Sequence, residues 1–236
     1  MTHSQALSSC SCAISQTASP NEQLAQVLQR ISDRIKGLAP TSKHYDVVAE
    51  AYEQMRQSQV RRTRIPQYFR SAVIEPGSTA EVIYNCLNKG ISAYVCGNPG
   101  TGKTYAACAA ALELDRHGKD VFFTTMSDYL DLCKSSSESD KLTLDALLGA
   151  ECLVVDDLDK ISLGESAYRT EKLYALIESR VHMATVYTSN VSYAKLGEMI
   201  VHAAPSFAGA IISRLQGDCG KELVVTGSDK RLERWK

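Results

Sequence analysis

Gly97-Asn98-Pro99-Gly100-Thr101-Gly102-Lys103-Thr104 organises the reading of this chain. It fits G-x-x-x-x-G-K-[ST] at every position. An apolar run, Ile91 to Cys96, precedes it, and an Ala-rich segment, Tyr105 to Leu114, follows it. That order predicts strand, loop and helix, the context in which the motif cradles phosphate. Glycines let the backbone wrap closely, so that successive N–H groups point inward, and the helix N-terminus adds partial positive charge there. The spacing predicts that Lys103 reaches the β- and γ-phosphates of a nucleoside triphosphate and that the Thr104 hydroxyl ligates Mg²⁺. A Gly-rich turn without a ligand is the competing reading, and the complete match in this context disfavours it.

The chain has 236 residues, 44% hydrophobic and 22% charged, with a net charge of −1. This suits one α/β domain with an appendage, and argues against a protein that coats nucleic acid non-specifically. Eight cysteines are scattered without a C-x₂-C pair, so they offer no evident zinc site and read as buried small hydrophobes. No apolar run approaches about 18 residues, and residues 1–20 lack the layout of a signal peptide. The expectation is a cytoplasmic protein with no membrane contact.

Residues 1–20, rich in Ser, Thr and Gln, are expected to form a disordered tail. From Asn21, the residues Leu24, Val27, Leu28, Ile31, Ile35 and Leu38 recur at helical spacing. A second stripe, Tyr45, Val48, Ala51, Tyr52 and Met55, follows from about Ser42. Residues 21–62 are thus expected to be a helical appendage. Its stripes pack on each other, on the core or on a partner, and 63–236 is the main domain. Arg61-Arg62-Thr63-Arg64 reads as a solvated linker, with Tyr68 and Phe69 either continuing it or lying over a nucleotide base.

Downstream, strands alternate with helices, which implies a parallel sheet. A helix over 78–88 precedes the loop strand. Val121 to Thr125 is a strand, Met126 to Lys134 a helix, 135–140 a polar loop and Leu142 to Leu148 a helix. Cys152 to Asp157 is an apolar strand ending in two carboxylates. Asp156 is expected beside the Mg²⁺ and Asp157 where a carboxylate polarises the attacking water, although adjacent acids are also ordinary turn residues. Ala184 to Thr188 is a fourth strand ending in Ser189-Asn190. Asn190 holds the lytic water if this strand lies between the first and third; otherwise it caps a helix.

Together these segments resemble the AAA+ ATPases of the DnaC/DnaI helicase-loader and IstB transposition-helper group, over about residues 63 to 233. The resemblance rests on Gly97–Thr104 (Walker A), Val154–Asp157 (Walker B) and Thr188-Ser189-Asn190 (sensor 1). Ile212-Ser213-Arg214-Leu215 is similar to box VII, and Gly227-Ser228-Asp229-Lys230-Arg231 to the terminal Gly-x-Ser-x-Arg segment. Arg64-Ile65-Pro66-Gln67-Tyr68-Phe69 and Tyr168-Arg169-Thr170-Glu171 are also similar to the family. What the resemblance implies is a P-loop NTPase with a parallel five-stranded sheet flanked by helices and no separate lid domain.

It further implies ATP and Mg²⁺ as cofactors. The nucleotide set is Gly97 to Thr104 with Tyr105 and Arg231, and the metal set is Thr104 and Asp156. The catalytic set is Asp157, Asn190 and Arg214, the last an arginine finger acting on a neighbouring subunit or, alternatively, a plain surface arginine. Asp157 stands where many relatives carry Glu, so slow turnover by the chain alone is expected. The expected function is loading of a replicative DNA helicase, docked through 21–62, onto single-stranded DNA, by an ATP-dependent homo-oligomer. A transposition helper and a nucleotide-gated adaptor with little hydrolysis remain alternatives. Met126 to Asp140 matches the region where loaders meet single-stranded DNA, but here it carries Asp128, Asp131, Glu138 and Asp140, which oppose phosphate binding.

Overall fold

The computed structural model describes residues 65–161 and 167–230. The expectations for the tail at 1–20, the appendage at 21–62 and Arg231 lie outside the described residues.

Five strands form one parallel sheet: β1 (Ala93–Cys96), β2 (Val121–Thr125), β3 (Cys152–Asp156), β4 (Ala184–Ser189) and β5 (Leu223–Val224). The order is β2-β3-β4-β1-β5, so β4 does lie between the first and third strands. Strands β1, β3 and β4 are buried at every residue, as strands covered by helices on both faces must be. Side chains alternate between the faces. Ala93 and Val95 join one core cluster, while Tyr94 and Cys96 join the other.

On the first face lie α1 (Thr79–Leu87) and α2 (Lys103–Arg116). Ser78 caps α1, its side chain accepting from the Glu81 N–H. Helix α2 is buried from Ala106 to Leu112, with no bulky side chain before Leu112. Those alanines let the helix lie close against both the sheet and α1, so it has no wide polar face. The second face carries α3 (Met126–Lys134), α4 (Glu138–Gly149), α5 (Ala167–Ser179), α6 (Tyr193–Ala203) and α7 (Pro205–Cys219). There Tyr94 stacks on Tyr193 with ring centroids 4.2 Å apart, and its hydroxyl donates to Val191 O at 2.8 Å.

Arg180, fully buried after α5, ties the end of α4 to the start of β4. Its guanidinium donates to Leu148 O (3.0 Å), Ala150 O (2.5 Å), Ala184 O (2.9 Å) and Thr185 Oγ1 (3.2 Å). Four accepting oxygens make the burial of a charge tolerable.

Several boundaries differ from the sequence reading. Strand β1 begins at Ala93 because Gly90, at φ +73, closes a turn that leaves Ile91 exposed. Helix α2 starts at Lys103, and the phosphate loop's last glycine is its N-cap. The polar stretch 135–140 is not all loop, since α4 begins at Glu138. Its acids, Glu138 and Asp140, occupy the first turn, where the helix dipole favours them. Strand β3 stops at Asp156 because Asp157 turns into the left-handed region.

Among the described residues, four cysteines pack as the buried-hydrophobe reading expects. Cys96, Cys108, Cys152 and Cys219 are buried and free, and Cys86 and Cys133 are partly buried. Burial pushes the Cys152 thiol up to about 12, so it stays protonated and behaves as an apolar group. No helix among the described residues is long and apolar enough to cross a membrane.

Candidate functional site

The carboxyl ends of β1, β3 and β4 lie side by side, since Cys96 pairs with Ser189 and Val155 with Tyr187. Ligands of open parallel sheets bind at such ends. The phosphate loop leaves β1 at Gly97 (φ +148) and enters α2 at Gly102 (φ +97). Inside it, Thr101 Oγ1 donates to Asn98 O at 2.9 Å. Lys103 is 6% exposed, and its ammonium donates to Gly97 O, Asn98 O and Asn190 Oδ1, each at 2.9 Å. The lysine and the polar end of β4, far apart in sequence, therefore meet because β4 lies next to β1.

The two acids at the end of β3 differ in environment. Asp156 is buried, and its Oδ1 accepts from Thr104 Oγ1 at 2.8 Å and Thr188 Oγ1 at 2.5 Å. Burial raises its pKa above the usual carboxylate value, and the two hydroxyl donors draw it partly back. Asp157 adopts φ 55, ψ 50, an uncommon conformation for a non-glycine residue, and its N–H donates to Thr188 Oγ1 at 3.0 Å. The Thr188 hydroxyl thus binds one acid by its side chain and the other by its backbone. Thr104 and Asp156 present hard oxygen donors side by side, and one carboxylate plus a hydroxyl suits Mg²⁺, which takes its remaining ligands from phosphates and water.

Asn190 is held from two sides. Its Oδ1 accepts from Lys103, while its Nδ2 donates to Asp159 Oδ2 at 3.0 Å and Oδ1 at 3.3 Å. Asp159 escaped the sequence reading. The segment after β5 also meets the phosphate loop. Val225 N donates to Cys96 O at 2.7 Å, and Lys230 N donates to Gly100 O at 3.0 Å. The Asp229 carboxylate lies against Gly100, and the Lys230 side chain runs past Gly102. Only the resemblance pointed to this tail, through Arg231, the residue after Lys230.

Two expected residues sit apart from the loop network. Tyr105, 41% exposed, accepts a hydrogen bond from the Val73 N–H at 3.3 Å and so faces the lead-in segment. In that segment Phe69 packs on the core and Tyr68 is exposed beside it. Arg214, on α7, pairs through Nε with Glu178 of α5, and its guanidinium lies 4.8 Å from the centre of the Tyr174 ring. The acids expected to oppose DNA binding, Asp128, Asp131 and Asp140, line an open groove with Phe122, Phe123 and Leu132 beside the edge strand β2.

Comparison with known structures finds the same fold. DnaI matches with a TM-score of 0.57 and 21% identity, over 72% of this chain and 95% of that one. A putative primosome component from Streptococcus pyogenes serotype M3 matches with a TM-score of 0.55 and 20% identity, over 73% and 97%. The DnaC helicase loader matches at 0.52 and 20%, over 68% and 100%. No curated protein matches the chain. The sequence profile described as "IstB-like ATP binding protein" matches residues 88–235, from the end of α1 through the whole sheet to the tail. The phosphate loop, the placing of β4 beside it and this match agree, the fold is the one seen in the DnaI and DnaC structures, and the chain belongs to the IstB-like ATP-binding family.

Proposed function

We propose that the protein is an ATP-hydrolysing helicase loader that couples its nucleotide state to a replicative DNA helicase and single-stranded DNA. The observation that carries the nucleotide chemistry is that two hydrogen-bonded pairs, Lys103 with Asn190 and Thr104 with Asp156, lie together at the carboxyl end of the sheet. A triphosphate in the loop offers Lys103 phosphate oxygens in place of the backbone carbonyls it now holds. Thr104 and Asp156 would hold Mg²⁺, which when bound would neutralise phosphate charge. Asp157 accepts a hydrogen bond from the attacking water, and Asn190 fixes its position. The water oxygen bonds to the γ-phosphorus as the bond to the β–γ bridging oxygen breaks, giving ADP and phosphate. Arg214 of a second copy approaches the same phosphate, and Arg231 contacts it from its own chain.

The loader reading is supported by coverage. The match takes in 95% of the DnaI structure and all of the DnaC loader structure, against about half of an ATP-analogue-bound DnaA from Aquifex aeolicus. The acidic groove by β2 weakens the case for direct DNA contact at that edge. A transposition helper is the second reading, favoured by the family match itself.

The experiment is capture of replicative helicase from the native cell by the full chain and by a chain lacking residues 21–60. Helicase captured only by the full chain, with ATP turnover raised by helicase and single-stranded DNA, is the expected result. DNA-dependent filaments without helicase capture would support the transposition reading and overturn loading.

A further inference from the structure

We propose that Asp159 is a positioning residue for Asn190, turning the amide so that its oxygen rather than its nitrogen faces the phosphate loop. This rests on the hydrolysis reading above and specifies how one of its residues acts. An Asn side chain can present either end of its amide with little change of shape, so its neighbours decide which end does the work. Asp159 belongs to the short 3₁₀ turn Leu158–Lys160. The left-handed Asp157 swings that turn back against the end of β4. There the carboxylate accepts from the Asn190 N–H at 2.7 Å, the Ser189 hydroxyl at 3.2 Å and both oxygens' share of Nδ2, at 3.0 and 3.3 Å.

An ionised carboxylate only accepts, so it selects the NH₂ edge of Asn190 and leaves Oδ1 on the loop side, 2.9 Å from Lys103 Nζ. When Lys103 turns to a triphosphate, Oδ1 is left to accept from a water O–H, which directs that water's lone pair toward the γ-phosphorus. The opposite orientation would donate to a phosphate oxygen and leave the water unheld. Asp159 thus sets Asn190 as an acceptor before nucleotide arrives, the preorganisation that supporting residues give a reacting group.

The test compares steady-state ATP turnover, affinity for a fluorescent ATP analogue and thermal melting in the full chain. The variants are Asp159→Ala, Asp159→Asn, Asn190→Ala and the Asp159→Ala/Asn190→Ala pair. Asp159→Ala should lower kcat about tenfold with nucleotide Kd changed by less than about twofold. Asp159→Asn keeps one accepting oxygen and should lose only about threefold. The double variant should be no slower than Asn190→Ala alone, because Asp159 acts through that amide. A parental kcat in Asp159→Ala, or losses that multiply in the double variant, overturns the inference while leaving ATP hydrolysis intact. Parental kcat in Asn190→Ala overturns both the inference and the water-holding role, and absence of turnover in the parent overturns the hydrolysis reading itself. If Asp159→Ala melts below the assay temperature, Asp159→Asn decides, and an unchanged kcat there overturns the inference.

Discussion

The strand-end pocket and the face formed by α5 and α7 use polar side chains differently. In the pocket, Lys103 pairs with Asn190 and Asp156 with Thr188, and each of the four has at least one further hydrogen-bond partner, from the phosphate loop, Asp159, Thr104 or Asp157. On the α5–α7 face, Arg214 meets one exposed carboxylate, Glu178, and one aromatic ring. Arg180 shows what a committed arginine looks like in the same fold, fully buried and donating to three backbone carbonyls. The pocket is prearranged by the chain itself. Arg214, with a third of its side chain exposed, holds a weak surface pair that a better anion can replace.

The largest effect should come from breaking the pocket. Lys103→Ala removes the ammonium at its centre and should weaken ATP binding by about 100-fold or more, as loss of a buried charge-assisted contact does. Titration with a fluorescent ATP analogue measures it, and parental affinity would remove the loop from nucleotide binding. Next comes the α5–α7 face. Arg214→Ala should bind ATP normally but hydrolyse it at least about tenfold more slowly, a floor beneath the roughly 10³–10⁵ that arginine fingers contribute. Mixing with Lys103→Ala subunits, which retain Arg214, should restore part of the turnover. Demonstrated mixed assemblies with no recovery would reduce Arg214 to a surface arginine.

Smaller effects sharpen the contrast. Asp156→Asn keeps an oxygen that accepts from both Thr104 and Thr188 but removes a buried charge. The free protein should gain about 1 kcal/mol of stability while losing most of the stabilisation that Mg²⁺ and ATP confer together. Melting curves with and without both ligands read this directly, and an equal ligand-induced shift in the variant would take Asp156 out of metal binding. Smallest of all, Glu178→Gln should change stability by less than about 1 kcal/mol, because the pair it breaks is solvent-screened. A larger loss in chemical denaturation would show that the Arg214 pair is structural and the face is not open.

The pocket was legible where its residues are announced by local order. A loop between strand and helix, acids at a strand end and an Asn at another strand end are each written in a few consecutive positions. What joins them was not legible, because it depends on which strand ends become neighbours. Asp159 reads as one more acid in Asp156-Asp157-Leu158-Asp159 until β4 is placed beside β3 and the left-handed Asp157 turns it toward Asn190. The start of α4 was missed for a local reason. Ser137, Glu138 and Asp140 carry the polarity of a loop, yet a helix's first turn, where the dipole favours acids, selects the same residue types. Glu178 gave no signal as the partner of Arg214, since that pair depends on how α5 packs on α7.

Gly100 occupies a position that the G-x-x-x-x-G-K-[ST] pattern leaves open to any residue. This chain does not leave it open. The backbone there has φ +77, and a side chain would start 1.8 Å from an Asp229 oxygen. Gly97 is closed more firmly, since the Val225 backbone carbonyl lies 2.1 Å from where a Cβ would stand, whereas the Asp229 carboxylate can turn aside. Substitution tolerance in the loop is therefore written partly in the tail. Two chains with the same eight-residue motif and this backbone share the strain at its third free position but differ in what their tails press against it, so motif statistics pooled across such chains blur the two causes.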